Sequence, residues 1–205
     1  MDFKSHWENV YKTKTADQVS WFKPHLAKSL ELILGTKRDK REPVIDVGGG
    51  ASTLVDDLLG EGFMDITVLD ISSESLEVSK KRLGKEAAKV NWIVGDVTTT
   101  NLPKNHYSLW HDRAVFHFLT SPEDRKKYVK TLNQSLKPKG IVTIATFSLK
   151  GPERCSGLDI VRYSAETLQA ELGDNYHLMK SLEESHDTPF GTKQEFVYGV
   201  FQREK

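Results

Sequence analysis

"VIDVGGGASTLVDDLL", residues 44–59, decides how this chain is read. A β-branched apolar run carries one acid, Asp46, and ends in Gly48, Gly49 and Gly50. Leu54, Val55, Leu58 and Leu59 then follow at helical spacing, and Gly60 and Gly62 close the segment. The pattern is a buried strand, a glycine turn and a helix. Such a turn lets a ligand approach the backbone at a helix N-terminus. A dinucleotide site needs G-x-G-x-x-G; Gly48 and Gly50 fit, but the third position is Thr53. A P-loop closes with Gly-Lys-Ser/Thr, and this turn closes with Ala51-Ser52-Thr53.

Outward from this stretch, strand and helix signals alternate. "DITVLDIS", "VNWIVGD", "YSLWHDRA" and "GIVTIATF" read as strands. "SSESLEVSKKRLGKEA", "SPEDRKKYVKTLNQSLKPKG" and "SAETLQAEL" read as helices, the second stopped by Pro138-Lys139-Gly140. "YHLMKSLEES" and "KQEFVYGVFQRE" are two final strands, and "FKSHWENVYK" and "HLAKSLELIL" are helical segments ahead of the sheet. The expected class is α/β, a doubly wound open sheet with helices on both faces. Ligands then bind beyond the C-terminal strand ends.

Three acids fall on that edge. Asp46 lies in the first strand, where an acid suits a positively charged ligand group. Asp70, with Ile71 and Ser72 after it, ends the second strand, where a carboxylate takes ribose hydroxyls. Asp96, between Gly95 and Val97, ends the third and can accept from an adenine amine. Each also has a plainer reading as a cap or turn acid. Asp65 precedes its strand and lies on the wrong edge.

Bulk properties narrow the partners. The 205 residues hold 29 Lys plus Arg against 29 Asp plus Glu, so no basic field favours nucleic acid. At 38% apolar and 28% charged the chain has the composition of one folded domain spanning 1–205. The single cysteine, Cys155, forms no internal disulfide and no cysteine metal cluster, which suits a reducing cytoplasm; no metal is expected. No run reaches the roughly 20 apolar residues of a membrane span. "MDFKSHWENVYK" has no signal-peptide core, so export is not expected.

The set "VIDVGGGAS", "VLDIS", "GDVTTTNLP" and "LKPKGIVTIATF" resembles the class I S-adenosylmethionine-dependent methyltransferases, over about residues 40 to 147. The resemblance implies a Rossmann-like seven-stranded sheet, order 3-2-1-4-5-7-6 with strand 7 antiparallel. It implies S-adenosylmethionine as cofactor and S-adenosylhomocysteine as product. On it, the cofactor residues are Asp46, Gly48, Gly49, Gly50, Ser52, Thr53, Asp70, Ile71, Ser72, Gly95, Asp96, Val97 and His111. Trp7, Tyr11 and Trp21 join them from a helical lid over 1–40, against a core over 41–205. These aromatics close over a sulfonium or only seal the core.

Methyl transfer needs an aligned nucleophile and excluded water, not a triad. A base is required only for an acceptor that arrives protonated. Family members that methylate planar amines end the fourth strand in D/N-P-P-Y/F; here that place reads His111-Asp112-Arg113-Ala114. His111, Asp112 and Arg113 are the candidate catalytic residues. Asp112 or a histidine, His117 included, orients or deprotonates a nucleophile, or Asp112 and Arg113 only pair across a turn. Cys155 is expected well away from this place, and His186, Thr188 and Gln194 line the site from the last hairpin. The acceptor expected is a protein lysine or a small molecule. Two other readings stay open. One is a nicotinamide oxidoreductase, though the Tyr176-x-x-x-Lys180 spacing match falls in a late strand without the required glycine pattern and reads as chance; the other is a non-catalytic binding module.

Overall fold

The computed structural model describes residues 2–204. Helix α1 (Phe3–Thr13) begins at Asp2, whose Oδ1 accepts from Lys4 N at 3.0 Å. Helix α2 (Ala27–Gly35) follows, then β1 (Val44–Val47), α3 (Leu54–Gly60), β2 (Ile66–Asp70), α4 (Ser73–Leu83), β3 (Val90–Val94) and β4 (Tyr107–Arg113). A 3-10 turn at Phe116–Phe118 leads to α5 (Pro122–Ser135) and β5 (Leu136–Phe147). A small hairpin, β6 (Arg154–Cys155) and β7 (Leu158–Asp159), precedes α6 (Ala165–Leu172) and the long pair β8 (Tyr176–Asp187) and β9 (Lys193–Arg203).

The main sheet runs β3-β2-β1-β4-β5-β9-β8. β1 to β5 pair in parallel; β9 is antiparallel to both β5 and β8. Counting main strands in chain order, this is the expected order with its antiparallel seventh strand. All of β1 and β2 is buried, as helices on both faces require. Ile45 and Val47 pack on one face with Trp110, Tyr128, Leu132 and Phe201, while Val44 and Val68 pack on the other with Leu54, Leu58 and Leu76.

One local expectation is corrected. Pro138-Lys139-Gly140 does not follow the helix as a loop. β5 starts at once at Leu136, which pairs with Tyr107 across an irregular register, and Lys139 absorbs the turn at φ 62°. The Tyr176–Lys180 spacing lies in an extended strand, where Tyr176 donates to Asn133 at 2.8 Å and Lys180 lies 3.8 Å from Glu31. Tyrosine and lysine there share no catalytic geometry. Among the described residues, no helix is long and apolar enough to cross a membrane, and no cluster of metal ligands occurs.

Candidate active site

Two adjoining cavities open at the C-terminal edge of the parallel strands. The larger encloses about 950 Å³, part of it open to solvent, and the smaller about 510 Å³. Tyr11, Trp21, Val47, Gly48 and Arg113 line both. Asp70, Ile71, Gly95, Asp96 and Val97 line one end of the larger; Asp46, Gly49, Ser52 and His111 line the smaller.

The glycine turn is built by close approach. Gly48 sits at φ +70°, and a Cβ there would overlap Val115. A Cβ on Gly49 would overlap the Asp46 carboxylate, and one on Gly50 would overlap Ser75 and Asp70. Gly50 N donates to Asp70 Oδ2 at 3.0 Å and Ser72 N to Asp70 Oδ1 at 2.8 Å. One carboxylate thus ties the turn to the end of β2. Burial pushes the Asp70 carboxyl up to about 6 against those amides and the Ser75 hydroxyl, which favour its charge. Asp96 holds its own loop: Oδ1 accepts from Thr98 N at 2.8 Å and from Thr98 Oγ1 at 2.7 Å.

Asp46 is buried at the base of β1 and its glycines. Its Oδ1 lies 2.6 Å from His111 Nδ1, whose Nε2 lies 2.9 Å from Ser29 Oγ. Asp46 Oδ2 has no hydrogen-bond partner among the described residues. A buried carboxylate oxygen left unpaired is costly, and a ligand ammonium there would satisfy it.

Strand alternation sorts the residues of β4. Trp110 and Asp112 face α5. Trp110 Nε1 donates to Tyr128 Oη at 2.8 Å, and that hydroxyl donates to Asp112 Oδ2 at 2.7 Å. Asp112 Oδ1 accepts from Val115 N at 2.9 Å. Asp112 is therefore a fully buried turn acid on the core side, lining neither cavity, and the expectation that it touches an acceptor is corrected. Burial lifts its carboxyl to about 6. His111 and Arg113 point to the other face. His111 is locked in the smaller cavity, while Arg113 lines the cleft, donating from Nε to Tyr198 Oη at 3.1 Å and from Nη1 to Trp21 O at 3.2 Å. Asp112 and Arg113 thus bond different partners on opposite faces and do not pair across a turn.

The N-terminal segment covers the cleft. Phe3, Trp7 and Tyr11 of α1 line the larger cavity with Trp21. Trp7 meets Trp21 and Phe118 edge-on, with centroids 5.5 and 5.1 Å apart. On the far side of α1, Glu8 caps the start of α4. Its Oε1 accepts from Ser73 N at 2.9 Å and its Oε2 from Ser72 Oγ at 3.3 Å.

Several expected residues support the site without lining it. Ser72 caps α4, taking Ser75 N at 3.2 Å. Thr53 donates to Lys23 O at 3.2 Å, and Gly50 packs behind the turn. His186 Nε2 donates to Ser20 O at 2.8 Å and Gln194 Nε2 to Ser20 Oγ at 3.1 Å, fastening the chain beside Trp21; Thr188 bonds Thr192 at the hairpin tip. His117 is buried in the 3-10 turn, with Nδ1 accepting from Phe147 N at 3.3 Å. Burial, then the charge of Arg113, pushes it down to about 3.

Cys155 reverses its expectation. The β6–β7 hairpin folds it back into the wall of the larger cavity, 4% exposed, and burial pushes its thiol up to about 12. Phe118, Phe147 and Phe196 also line the cleft. Phe147 and Phe196 are register partners at the ends of β5 and β9, a signal available from the strand ends alone.

Residues 44–140 match a family model described as a methyltransferase domain. The match covers 97 of the 205 residues, from β1 into β5, so the chain carries a methyltransferase domain there. The chain is 24% identical over 157 residues to EEF1A lysine methyltransferase 2 of Danio rerio, covering 70% of this chain and 67% of that protein. It is 25% identical over 145 residues to the Homo sapiens protein of that name, covering 68% of this chain and 56% of the other. The chain thus spans between about half and two thirds of these relatives. Among solved structures it is similar to Burkholderia thailandensis 1,6-didemethyltoxoflavin-N1-methyltransferase with bound 1,6-didemethyltoxoflavin and S-adenosylhomocysteine. The TM-score is 0.71 at 17% identity, covering 98% of this chain and 87% of that chain.

The residues present fit S-adenosylmethionine as a cofactor. The unpaired Asp46 Oδ2 is an acceptor for an ammonium, and the Asp70 and Asp96 carboxylates line the larger cavity as acceptors for hydroxyl or amine donors.

Proposed function

We propose that the protein transfers a methyl group from S-adenosylmethionine to a protein lysine or a small-molecule acceptor. The cleft that carries this reading has cofactor acids at one end, aromatic walls at the other, and α1 across the top. Bound there, the cofactor supplies a methyl on a sulfonium, with a neutral leaving group. Asp70 and Asp96 fix its adenosine, Asp46 its ammonium, and Gly48 to Gly50 allow the backbone to close in. Trp7, Tyr11 and Trp21 exclude water and present ring faces and edges to the sulfonium. Arg113 and the rings of Phe118, Phe147 and Phe196 hold the acceptor in line, which is catalysis by position.

The zebrafish and human relatives are named lysine methyltransferases, and the Burkholderia protein is an N1-methyltransferase with the small molecule 1,6-didemethyltoxoflavin bound. That company supports both acceptor classes. Zero net charge supports neither DNA nor RNA. A free Cys155 supports a cytoplasmic location.

Methyl-labelled cofactor added with the protein to a desalted lysate, and separately to its low-molecular-weight filtrate, tests the reading. Label is expected in a protein band or in the filtrate, with S-adenosylhomocysteine formed in step. Label in nucleic acid would overturn the acceptor class. Cofactor binding with no S-adenosylhomocysteine formed in either fraction would mark a non-catalytic module.

A further inference from the structure

Beyond the cofactor acids the larger cavity continues between Trp7, Trp21, Phe118, Phe147 and Phe196. On this side only Arg113 carries a charge; Asp70 and Asp96 stand across β1 and β2 at the other end. Its guanidinium lies over the Phe196 ring, 4.4 Å from the centroid. Nε and Nη1 are fixed by Tyr198 and Trp21, and Nη2 is buried with no hydrogen-bond partner. Tyr198 leads on to Glu184 at 2.8 Å, but that carboxylate is already paired with Lys23. The acceptor end therefore presents one preorganised cation inside an aromatic wall, with Nη2 left unpartnered. A lysine ammonium would enter beside a like charge with no carboxylate to receive it.

The same end lacks a group to take a proton. Asp112 faces the opposite side of β4, bonded to Tyr128 and Val115. Both ring nitrogens of His111 are engaged by Asp46 and Ser29. His117 does not line the cavity, and Cys155 is a buried neutral thiol. A nucleophile that arrived protonated would have nowhere to leave its proton.

Resting on the methyltransferase reading, we infer that the acceptor is a small apolar or aromatic molecule whose nucleophile is an anion, a thiolate, phenolate or carboxylate, set against Nη2 of Arg113. An electron pair of that anion forms the bond to the methyl carbon, and the carbon–sulfur pair returns to sulfur. One negative and one positive charge cancel, two neutral products result, and no proton is transferred. Arg113 is the specificity residue. It holds the anion and favours its ionised form, as an oriented guanidinium does for any oxyanion.

The test is a panel of thiophenol, simple phenols, benzoates, arylamines and a lysine peptide, assayed with labelled cofactor across pH in the full-length protein. Methylation is expected in the anionic members, rising with pH through each acceptor's own pKa and then level. Arg113→Gln should raise the KM for that acceptor roughly 10- to 100-fold, the weight of one charge-assisted hydrogen bond. Arg113→Lys should recover part of it, and both variants should bind S-adenosylhomocysteine as the wild type does. The inference fails if only amines or the peptide are methylated. It fails if no anion is methylated although the cofactor binds. It also fails if Arg113→Gln weakens cofactor binding and leaves acceptor KM unchanged, since the guanidinium then serves the cofactor's carboxylate. Absence of cofactor binding in the wild type would instead bring down the methyltransferase reading.

Discussion

Asp70→Ala is expected to weaken S-adenosylhomocysteine binding by about 10- to 100-fold, the loss of charge-assisted hydrogen bonds to a ribose. The carboxylate stands in the cleft while accepting Gly50 N and Ser72 N, so its loss removes a ligand contact and the tie between the glycine turn and β2. Asp70→Asn keeps one acceptor oxygen and should fall between. Burial raises this carboxyl to about 6, so ionisation completes only above that value. Cofactor affinity should therefore rise as pH climbs through about 6 and level off above it. Folding stability runs the other way. A group that holds its proton more tightly folded than unfolded contributes stability fully at low pH, and that contribution is lost as pH rises through about 6. Calorimetry between pH 5 and 8, with thermal melts of the ligand-free protein alongside, reads both slopes. An Asp70→Ala protein that binds as tightly as the wild type would remove the ribose assignment.

Asp112→Ala should damage the fold rather than the chemistry. Deleting this side chain strips the buried Tyr128 Oη of its acceptor and the half-buried Val115 N of its turn partner. Breaking such a network costs about 2–4 kcal/mol. Urea unfolding should show that loss in midpoint at an unchanged slope. Asp112 shares the direction of Asp70, with burial lifting its carboxyl to about 6. Its stabilisation is full below the unfolded-chain value and is lost as pH rises through about 6. Asp112→Asn, which cannot ionise, should flatten its share of that slope. An Asp112→Ala variant as stable as the wild type, with methyl transfer abolished, would restore the catalytic reading.

These two acids mark where sequence reasoning reached and where it stopped. The strand–glycine–helix signature at 44–59 and the acid after each of the next two strands were legible because glycine spacing and β-branched runs are local properties. Asp70 and Asp96 accordingly line the cleft, as Asp46 does. The His111-Asp112-Arg113 triplet was legible as a polar strand end, but not in phase. Which of three consecutive residues faces the core depends on what packs on each face of β4. Tyr128 of α5 took Asp112, and Ser29 of α2 took His111. Cys155 was illegible for a different reason. A two-residue strand on each side of a short turn carries almost no periodicity, and the chain returns there through contacts remote in sequence. His186 and Gln194 were placed near the site, but their bonds to Ser20, which fasten the N-terminal segment, depend on a pairing of chain ends that no local pattern encodes.

The central claim is that the cleft between the glycine turn and α1 holds S-adenosylmethionine. Calorimetric titration of the wild-type protein with S-adenosylmethionine, S-adenosylhomocysteine and NAD tests it most directly. Binding of the first two at about micromolar Kd, some 8 kcal/mol, with no heat from NAD, is the expected result. Binding of NAD alone, or of none of the three, would contradict it.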